Sequence, residues 1–373
     1  MILLAAFVAF ALAVHLATLG IALWRLHRPV PKAANLPFVC LLRPVCGLDR
    51  FDAETLGSSF RQDYPDYEVI FCCASAHDPV IALVNRLIAD HPQVRARLFI
   101  GDIPISGNPK LNNVARGWHE TTAGLICMTD SNVALPPDYL RQVVASFGAD
   151  TGLVTAPPLG VRAEGLWGAL ECAFLNSFQA RFQLVADAAG NGFAQGKTLC
   201  WRRDVAEAGG GLAALGREMA EDVASTKLVR RQGLKVRLAP RPYPQPIGRR
   251  TLEQVWSRQL RWARVRRAGF VWLYLPEILT GAVPPMVALA VLLSMAGASP
   301  LWLAAFAAVW FGAEWGMARA AGWPARPVDL AAMAVRDAML PLLWLWSWRA
   351  RGFVWRGNAM EADRLTAAEG RAE

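Results

Sequence analysis

The stretch Cys127-Met128-Thr129-Asp130-Ser131-Asn132-Val133 carries the clearest fold signal in this chain. The apolar run 124–129 ends abruptly on the carboxylate of Asp130, and a proline-containing loop follows it. Open α/β sheets bind ligands at the carboxyl ends of their strands, so an Asp here is well placed to face a ligand. It would serve equally well to cap the next turn, and this stretch alone leaves both interpretations open.

Strand-like and helical patterns alternate on the amino-terminal side of this stretch. The predicted strands are 37–42, 67–73, 94–100 and 124–129, and the predicted helices are 51–62, 79–89, 111–120 and one that starts at Asp138. Such alternation predicts βαβ units and a mostly parallel sheet. Beyond residue 150 the pattern loosens into predicted helices at 166–186, 222–231 and 251–268 and short strands at 199–202 and 234–238.

The composition indicates membrane segments beside this α/β domain. Hydrophobic residues make up 54% of the chain and charged residues 18%, which is too apolar for an ordinary soluble domain. Residues 1–24 carry no Asp, Glu, Lys or Arg, and about 20 apolar residues suffice to cross a bilayer. Because Arg25, Arg28 and Lys32 follow, we expect an uncleaved anchor with the residues from 25 onward in the cytoplasm.

Three further apolar stretches lie late in the chain, at 278–298, 301–321 and 330–348. Arg336 and Asp337 interrupt the last one, so we expect it to be re-entrant or interfacial, with three true spans in all and a cytoplasmic carboxyl terminus. The expected organisation is an anchor (1–24), a linker (25–36), a catalytic domain (37–270), a membrane region (271–348) and a tail (349–373).

Charge and metal-ligand patterns exclude other classes. The net charge of +9 lies largely at membrane flanks and in 227–267, which favours attraction to anionic lipid or phosphate over nucleic acid. The seven cysteines form no CxxC pair and the five histidines no HExxH spacing, so a zinc site is not expected. The cysteines are predicted to be buried free thiols.

Polar residues recur where predicted strands end or helices begin. Asp78 follows the second strand and is either a helix cap or a ligand to a nucleoside base or ribose. Lys110 opens a helix, where it would contact a phosphate, although the asparagines around it also suit a turn. Asp130 would hold a divalent cation between two phosphates. Asp222 opens a helix as well, and capping is its structural alternative.

A basic helix carries the last motif, Arg258-Gln259-Leu260-Arg261-Trp262. Arg258 and Arg261 are three residues apart and therefore share a helix face. They would clamp a pyrophosphate while Trp262 shapes the acceptor site, or they would simply form a basic surface facing the membrane.

Taken in order, these motifs resemble those of a known family. The motifs are His77-Asp78-Pro79, NPKLNN at 108–113, Asp130-Ser131-Asn132, Glu221-Asp222 and RQLRW at 258–262. Between about residues 37 and 270 the chain resembles the ceramide glucosyltransferases of glycosyltransferase family 21, which is related to the inverting enzymes of family 2. The resemblance implies a GT-A fold and a UDP-sugar donor, normally UDP-glucose.

The resemblance also implies roles for individual residues. Asp78 would bind the uridine, Asp130 would hold Mg2+ or Mn2+ on the diphosphate, and Asp222 would be the general base. A nearby metal would favour the ionised form of Asp222. The residues that match the family's (Q/R)xxRW motif are Arg258, Arg261 and Trp262.

Two departures from the family pattern bear on the cation and the acceptor. Asn132 stands where a DxD motif has its second Asp, and Gln179 where the animal ceramide enzymes carry a His. The resemblance as a whole implies an inverting transferase that moves a hexose, with glucose favoured, from a UDP-sugar to a membrane lipid hydroxyl. Ceramide is favoured, with diacylglycerol or a hopanoid as alternatives. The Ala- and Arg-rich composition suggests a GC-rich bacterial genome, so the expected location is a bacterial inner membrane. A processive polysaccharide synthase and a non-catalytic sugar-nucleotide-binding scaffold are weaker hypotheses.

Overall fold

The computed structural model describes residues 1–350, 352–355 and 358–361. The chain divides into two compact units, each assembled from segments that are separated in the sequence. The first, here called the sheet unit, consists of Arg28–Pro158, Ala186–Pro246 and the described residues between 354 and 361. The second, here called the helical unit, consists of Met1–His27, Leu159–Val185 and Ile247–Phe353.

Eleven strands are present among the described residues. They are β1 (Val39–Val45), β2 (Tyr67–Cys73), β3 (Arg95–Ile100), β4 (Leu125–Thr129), β5 (Thr151–Thr155), β6 (Pro158–Glu164), β7 (Thr198–Arg202), β8 (Lys235–Leu238), β9 (Tyr243–Arg249), β10 (Gly352–Trp355) and β11 (Asn358–Glu361). Seven of them form one sheet in the order β3-β2-β1-β4-β7-β5-β8, while β6 pairs with β9 and β10 with β11. The large sheet is parallel except at β7, which runs antiparallel to both β4 and β5.

Helices occupy most of the remaining described chain. They are α1 (Ile2–His27), α2 (Asp52–Gly57), α3 (Val80–Asp90), α4 (Pro109–Glu120), α5 (Tyr139–Ala145), α6 (Gly165–Ala173), α7 (Arg181–Ala188), α8 (Arg203–Ala208), α9 (Gly211–Leu215), α10 (Glu221–Arg231), α11 (Leu252–Gly269), α12 (Val271–Tyr274), α13 (Val283–Ala296), α14 (Leu301–Ala320) and α15 (Pro327–Ser347). Short 3-10 turns cover Ser58–Phe60 and Leu275–Leu279, and a π-helical segment, Phe174–Ala180, joins α6 to α7.

Strand β1 has one apolar layer on each side, because successive side chains of a strand point to opposite faces. Val39 and Leu41 pack into one buried cluster, whereas Cys40 and Leu42 pack into another. On the second face α4 lies very close to the strands. A Cβ at Gly117 of α4 would come within 2.8 Å of side chains on β1 and β2, so this helix needs glycine there.

The predicted mostly parallel sheet is confirmed, and the predicted helices and strands match the observed ones within a few residues in its first half. The predicted strand 37–42 begins at Val39 and continues to Val45, and the predicted helix 51–62 is split into α2 and a 3-10 turn. Among the described strands, β5, β6, β9, β10 and β11 were not predicted, because none of their sequences is a long apolar run. All seven cysteines are free thiols, and all except the exposed Cys46 are buried.

In the helical unit, α1 packs against α13 and α14, and α15 packs against α6 and α11. The side chain of Thr251 caps α11 by accepting a hydrogen bond from Gln254 N, and the Gln254 side chain accepts one from Thr251 N in return. His15 stacks on Trp310 at 3.8 Å between ring centroids, and its Nε2 lies 3.0 Å from the carbonyl oxygen of the same Trp. The ring stacking and the Nε2 contact of His15 therefore hold α1 against α14.

A buried ionic cluster joins α14 to α15. The guanidinium of Arg336 donates to Glu314 at 2.6 and 3.0 Å and to Asp337 at 2.6 and 2.9 Å. Arg336 and Asp337 are each 1% exposed and Glu314 is fully buried, so both carboxylates are paired with the guanidinium away from water. The charges that interrupt the apolar stretch 330–348 thus form an internal ion-pair network.

Two helices of the described chain are long and apolar enough to cross a membrane, namely α1 and α14. The segments Val271–Leu279 and Val283–Ala296 meet at a bend of 41° and together satisfy the same criteria, which would make a third span. Helix α15 is continuous over 21 residues but is not among these candidates.

Candidate active site

Strand β4 ends at the carboxyl edge of the sheet, and Asp130 directly after it is held by two lysines. Its Oδ1 lies 2.6 Å from Lys110 Nζ, and its Oδ2 accepts from Lys197 Nζ at 2.8 Å. Burial alone would raise the pKa of Asp130, but the two ammonium groups outweigh it and hold that pKa well below its usual range. Asp130 is therefore ionised at neutral pH, and the ammonium groups of Lys110 and Lys197 balance its charge.

Lys110 links three elements of the sheet unit. Besides Asp130, its Nζ donates to Glu221 Oε1 at 2.7 Å and to the carbonyl oxygen of Gly196 at 2.9 Å. Asn108, which caps α4, donates to the other oxygen of Glu221 at 3.2 Å. Burial would lower the pKa of Lys110, but the carboxylates of Asp130 and Glu221 raise it instead. The starts of α4 and α10 are thereby fixed to the end of β4.

Asp222 lies in the first turn of α10, beside Glu221. Its Oδ2 accepts a hydrogen bond from Gly196 N at 2.9 Å, and its Oδ1 accepts one from Val223 N at 2.8 Å. Burial and the neighbouring charge of Glu221 raise the pKa of Asp222 to about 6, although both hydrogen bonds and Lys110 oppose the rise. The shift leaves a carboxylate that is ionised at neutral pH and a stronger base than an ordinary Asp.

Asp78 follows β2, which is parallel to β1 and β4, so it belongs to the same edge of the sheet. Its two oxygens accept from Gly47 N at 3.0 and 2.8 Å, and Oδ1 also accepts from Val80 N at 2.9 Å. Gly47 has a φ of 70°, which a residue with a side chain rarely adopts. Asp78 thus holds the start of α3 and the loop after β1, and the nucleoside role stays a prediction.

Two residues of this site were missed from the sequence. Lys197 belongs to no motif, and only the pairing of β7 with β4 brings it to Asp130. Arg43 is fully buried in β1, and its Nη2 donates to the carbonyl oxygens of Ser131 and Val133, each at 3.2 Å. In the sequence, an Arg within the apolar run of β1 was the one indication that this strand hydrogen-bonds to a neighbouring loop.

The residues of the RQLRW motif belong to the helical unit. Arg258 donates to Glu171 Oε1 at 2.6 Å, and Glu171 is fully buried in α6. Trp262 packs against the small apolar cluster of Ala163, Cys172, Leu175 and Ile247. Gln259 Oε1 accepts from Gln179 Nε2 at 3.1 Å. The roles expected of Arg258, Arg261 and Trp262 at the diphosphate and the acceptor stay predictions.

The polar edge of the sheet unit offers a divalent cation one carboxylate and one amide oxygen. Asp130 Oδ2 and Asn132 Oδ1 converge on the ammonium of Lys197, at 2.8 and 3.1 Å, so these two oxygens already hold a positive charge. Within the described residues no group of three or more His, Cys, Asp or Glu could hold a metal ion. One carboxylate with substrate phosphates and water nevertheless suits Mg2+, so the residues fit a cation that arrives with a diphosphate.

The seven-stranded mixed sheet, with the antiparallel strand β7 between parallel neighbours, resembles the GT-A fold of glycosyltransferases. A solved structure supports the fold over the whole chain. It is a mannosyltransferase from Pyrobaculum calidifontis in complex with GDP-Man and Mn2+, which aligns with a TM-score of 0.53 and 17% sequence identity over 99% of this chain and 98% of its own.

The sequence then identifies the family. The family model described as Glycosyl transferase family 21 matches residues 3–368, and the chain belongs to that family. Ceramide glucosyltransferases 1 and 3 of Caenorhabditis elegans are 27% identical over 279 residues and 26% identical over 273 residues. These matches cover 74% and 73% of this chain but 60% of each relative, so the chain spans about three fifths of their length.

Proposed function

We propose that this protein is a membrane-bound inverting hexosyltransferase that moves glucose from UDP-glucose to the hydroxyl of a membrane lipid, with ceramide as the favoured acceptor. The observation that carries the proposal is the cluster at the carboxyl edge of the sheet. There Asp130 is ionised between two lysines, and Asp222 has a pKa raised to about 6. Sugar transfer requires a base for the acceptor hydroxyl and positive charge beside the leaving diphosphate. In this family 21 chain, Asp222 would supply the base, and Asp130 would hold the cation.

Asp222 is the proposed general base. Inverting transfer forms a bond between the acceptor oxygen and the anomeric carbon of the sugar while the bond from that carbon to the diphosphate oxygen breaks. The acceptor proton passes to Asp222, and UDP leaves with the bonding electron pair. A base works best when its pKa lies near the operating pH, which favours Asp222 over a carboxylate of ordinary acidity.

The leaving diphosphate needs positive charge. Lys110 is proposed to donate to a phosphate oxygen from the start of α4, where the helix dipole also favours an anion. Arg258 and Arg261 of α11 are proposed to share this task as members of the (Q/R)xxRW motif, and Trp262 to shape the acceptor site. When bound at Asp130, Mg2+ or Mn2+ would further neutralise the diphosphate.

Asp78 is proposed to bind the uridine. Its carboxylate already accepts three backbone hydrogen bonds, which fix its position after β2. A carboxylate held in this way retains lone pairs for the imide N–H of uracil or for ribose hydroxyls. The fixed backbone would therefore make Asp78 a rigid acceptor for the nucleoside.

The membrane lipid as acceptor is supported by the apolar helices and by the relatives' names. Helix α1 and helix α14 have the length and composition of membrane spans, and the two worm relatives are named ceramide glucosyltransferases. We propose an integral membrane protein with residues 37–270 as its cytoplasmic catalytic domain, in a bacterial inner membrane. Gln179 stands where the animal ceramide enzymes carry a His, so diacylglycerol and hopanoids are alternative acceptors.

The test uses membranes that contain the full-length protein, labelled UDP-glucose and vesicles doped with ceramide, diacylglycerol or a hopanoid. The proposal expects one labelled glycolipid, strongest with ceramide, and loss of product in Asp222→Asn. Asp204→Asn, at an exposed site paired with Arg202, is the matched control and should retain activity. Long insoluble polymer would instead identify a polysaccharide synthase, and UDP-glucose binding without any product would identify a scaffold.

A further inference from the structure

The ammonium of Lys197 lies between the side-chain oxygens of Asp130 and Asn132, the first and last residues of the Asp130-Ser131-Asn132 motif. This ammonium lies 2.8 Å from Asp130 Oδ2 and 3.1 Å from Asn132 Oδ1. The Lys197 side chain is 14% exposed and that of Asp130 is 25% exposed, so the charge pair is largely shielded from water. The oxygens of the Asp130-Ser131-Asn132 motif are thus already neutralised by a cation that belongs to the chain.

The backbone fixes this arrangement. Strand β7 runs antiparallel to β4 with Thr198 opposite Thr129, so Lys197 and Asp130 are the next residues beyond that pair. Asp130 N donates to the carbonyl oxygen of Lys197 at 3.2 Å, which continues the ladder by one bond. Lys197 N donates to Gln195 Oε1 at 2.8 Å. The backbone of Lys197 is therefore fixed directly beside Asp130, while its long side chain can change conformation.

The two lysines contact different oxygens of Asp130, Lys110 at Oδ1 and Lys197 at Oδ2. Lys110 has a second carboxylate partner in Glu221 and a carbonyl partner in Gly196, so it stays bound if Asp130 takes another cation. Lys197 contacts Asp130 and the neutral amide of Asn132, and this contact would be lost if a metal ion took the same oxygens. An ammonium and a divalent ion cannot share these oxygens without strong repulsion.

We propose that Lys197 is a tethered cation that holds the Asp130–Asn132 position until a nucleotide diphosphate arrives, and then moves to a phosphate oxygen as the divalent cation takes its place. The inference rests on the proposed function, since it needs a diphosphate donor. Before the donor binds, the metal competes with Lys197 and binds weakly. With the donor, the displaced ammonium gains a phosphate partner, so metal and donor bind cooperatively.

Mn2+ binding to the purified full-length protein tests this directly, through the electron paramagnetic resonance signal of free Mn2+. Without donor, Lys197→Met should bind Mn2+ about tenfold more tightly than the unaltered protein, because linked sites typically differ by 5- to 150-fold. Saturating UDP should tighten Mn2+ binding in the unaltered protein, and by a smaller factor in Lys197→Met. Reciprocity requires Mn2+ to tighten UDP binding by the same factors.

Lys235→Met removes the same charge from a half-exposed pair with Asp150 and should leave Mn2+ binding unchanged. Lys197→Gln retains polarity and serves if the Met variant does not fold. Equal donor-free Mn2+ affinities in the unaltered protein and both Lys197 variants would overturn the inference. If UDP and UDP-glucose bind under no condition, the proposed function fails, whereas the donor-free Mn2+ comparison still decides whether Lys197 competes with the metal.

Discussion

Replacing Asp222 with Asn removes the proposed base while changing little else. The Asn side chain keeps an acceptor oxygen for Gly196 N, whose bond to Asp222 is 2.9 Å long, and gives up the acceptor for Val223 N. General-base catalysis contributes roughly 100- to 10,000-fold to a rate. We therefore expect kcat/KM to fall by about that range while UDP-glucose binding stays within a few fold.

The pH dependence follows from the raised pKa of the same residue. A base acts in its ionised form, so kcat/KM should rise with pH through the pKa of about 6 and level off above it. At pH 7 about 91% of Asp222 would be ionised, and at pH 5 about 9%, so kcat/KM should drop about tenfold between them. An ordinary Asp would be fully ionised over this range and would give a flat profile.

Glu221 provides a second check, because its charge is the main cause of the raised pKa after burial. Glu221→Gln removes that charge, so the midpoint of the acid limb should move to lower pH. The assay measures initial rates of glycolipid formation at several UDP-glucose concentrations from pH 5 to pH 8, with thermal unfolding as a check on folding. Activity of Asp222→Asn within threefold of the unaltered protein, or a flat profile between pH 5 and pH 7, would refute the assignment.

Two further predictions concern the ionic cluster and the nucleoside site. Arg336→Met removes the guanidinium that pairs with the buried carboxylates of Glu314 and Asp337 and should reduce the free energy of unfolding by about 3–5 kcal/mol; a thermal midpoint within 2 °C of the unaltered protein would contradict this. Asp78→Ala should weaken UDP binding about tenfold or more in isothermal titration, as the loss of a charged hydrogen-bond partner does. If Asp78 only holds the loop of Gly47, its replacement would lower the thermal midpoint and leave the UDP affinity unchanged.

Local sequence patterns were sufficient for the first half of the sheet. Strands β1, β2 and β4 are largely apolar runs, β3 is a shorter run that begins with alternating arginines, and helical periodicity separates all four, so a parallel sheet follows from the alternation. The acidic residues could be predicted as well, because Asp78 and Asp130 stand where those runs stop. The same reasoning found α1 and α14 as candidate spans, since length and hydropathy are also local properties.

Partners of charged residues could not be predicted, because they come from distant parts of the chain. Arg336 and Glu314 are each conspicuous in an apolar stretch, yet their pairing depends on how α14 packs against α15. The hydrogen bond between Arg258 and the buried Glu171 of α6 likewise cannot be predicted from a local sequence pattern. A buried charge without a partner would be costly, so each of these residues must be paired. Burial alone does not reveal which residue is the partner.

Lys197 is the clearest case of this limit, and it changes how Asp130 is understood. From the sequence, the missing second Asp of a DxD motif makes the site look poor in negative charge. The antiparallel strand β7 brings a positive charge to the same oxygens, so Asn132 and Lys197 act together. A second carboxylate at 132 would bind Lys197 more tightly and oppose its release to a phosphate. With the neutral Asn132, Lys197 is bound weakly enough that a divalent cation can replace it when the donor binds.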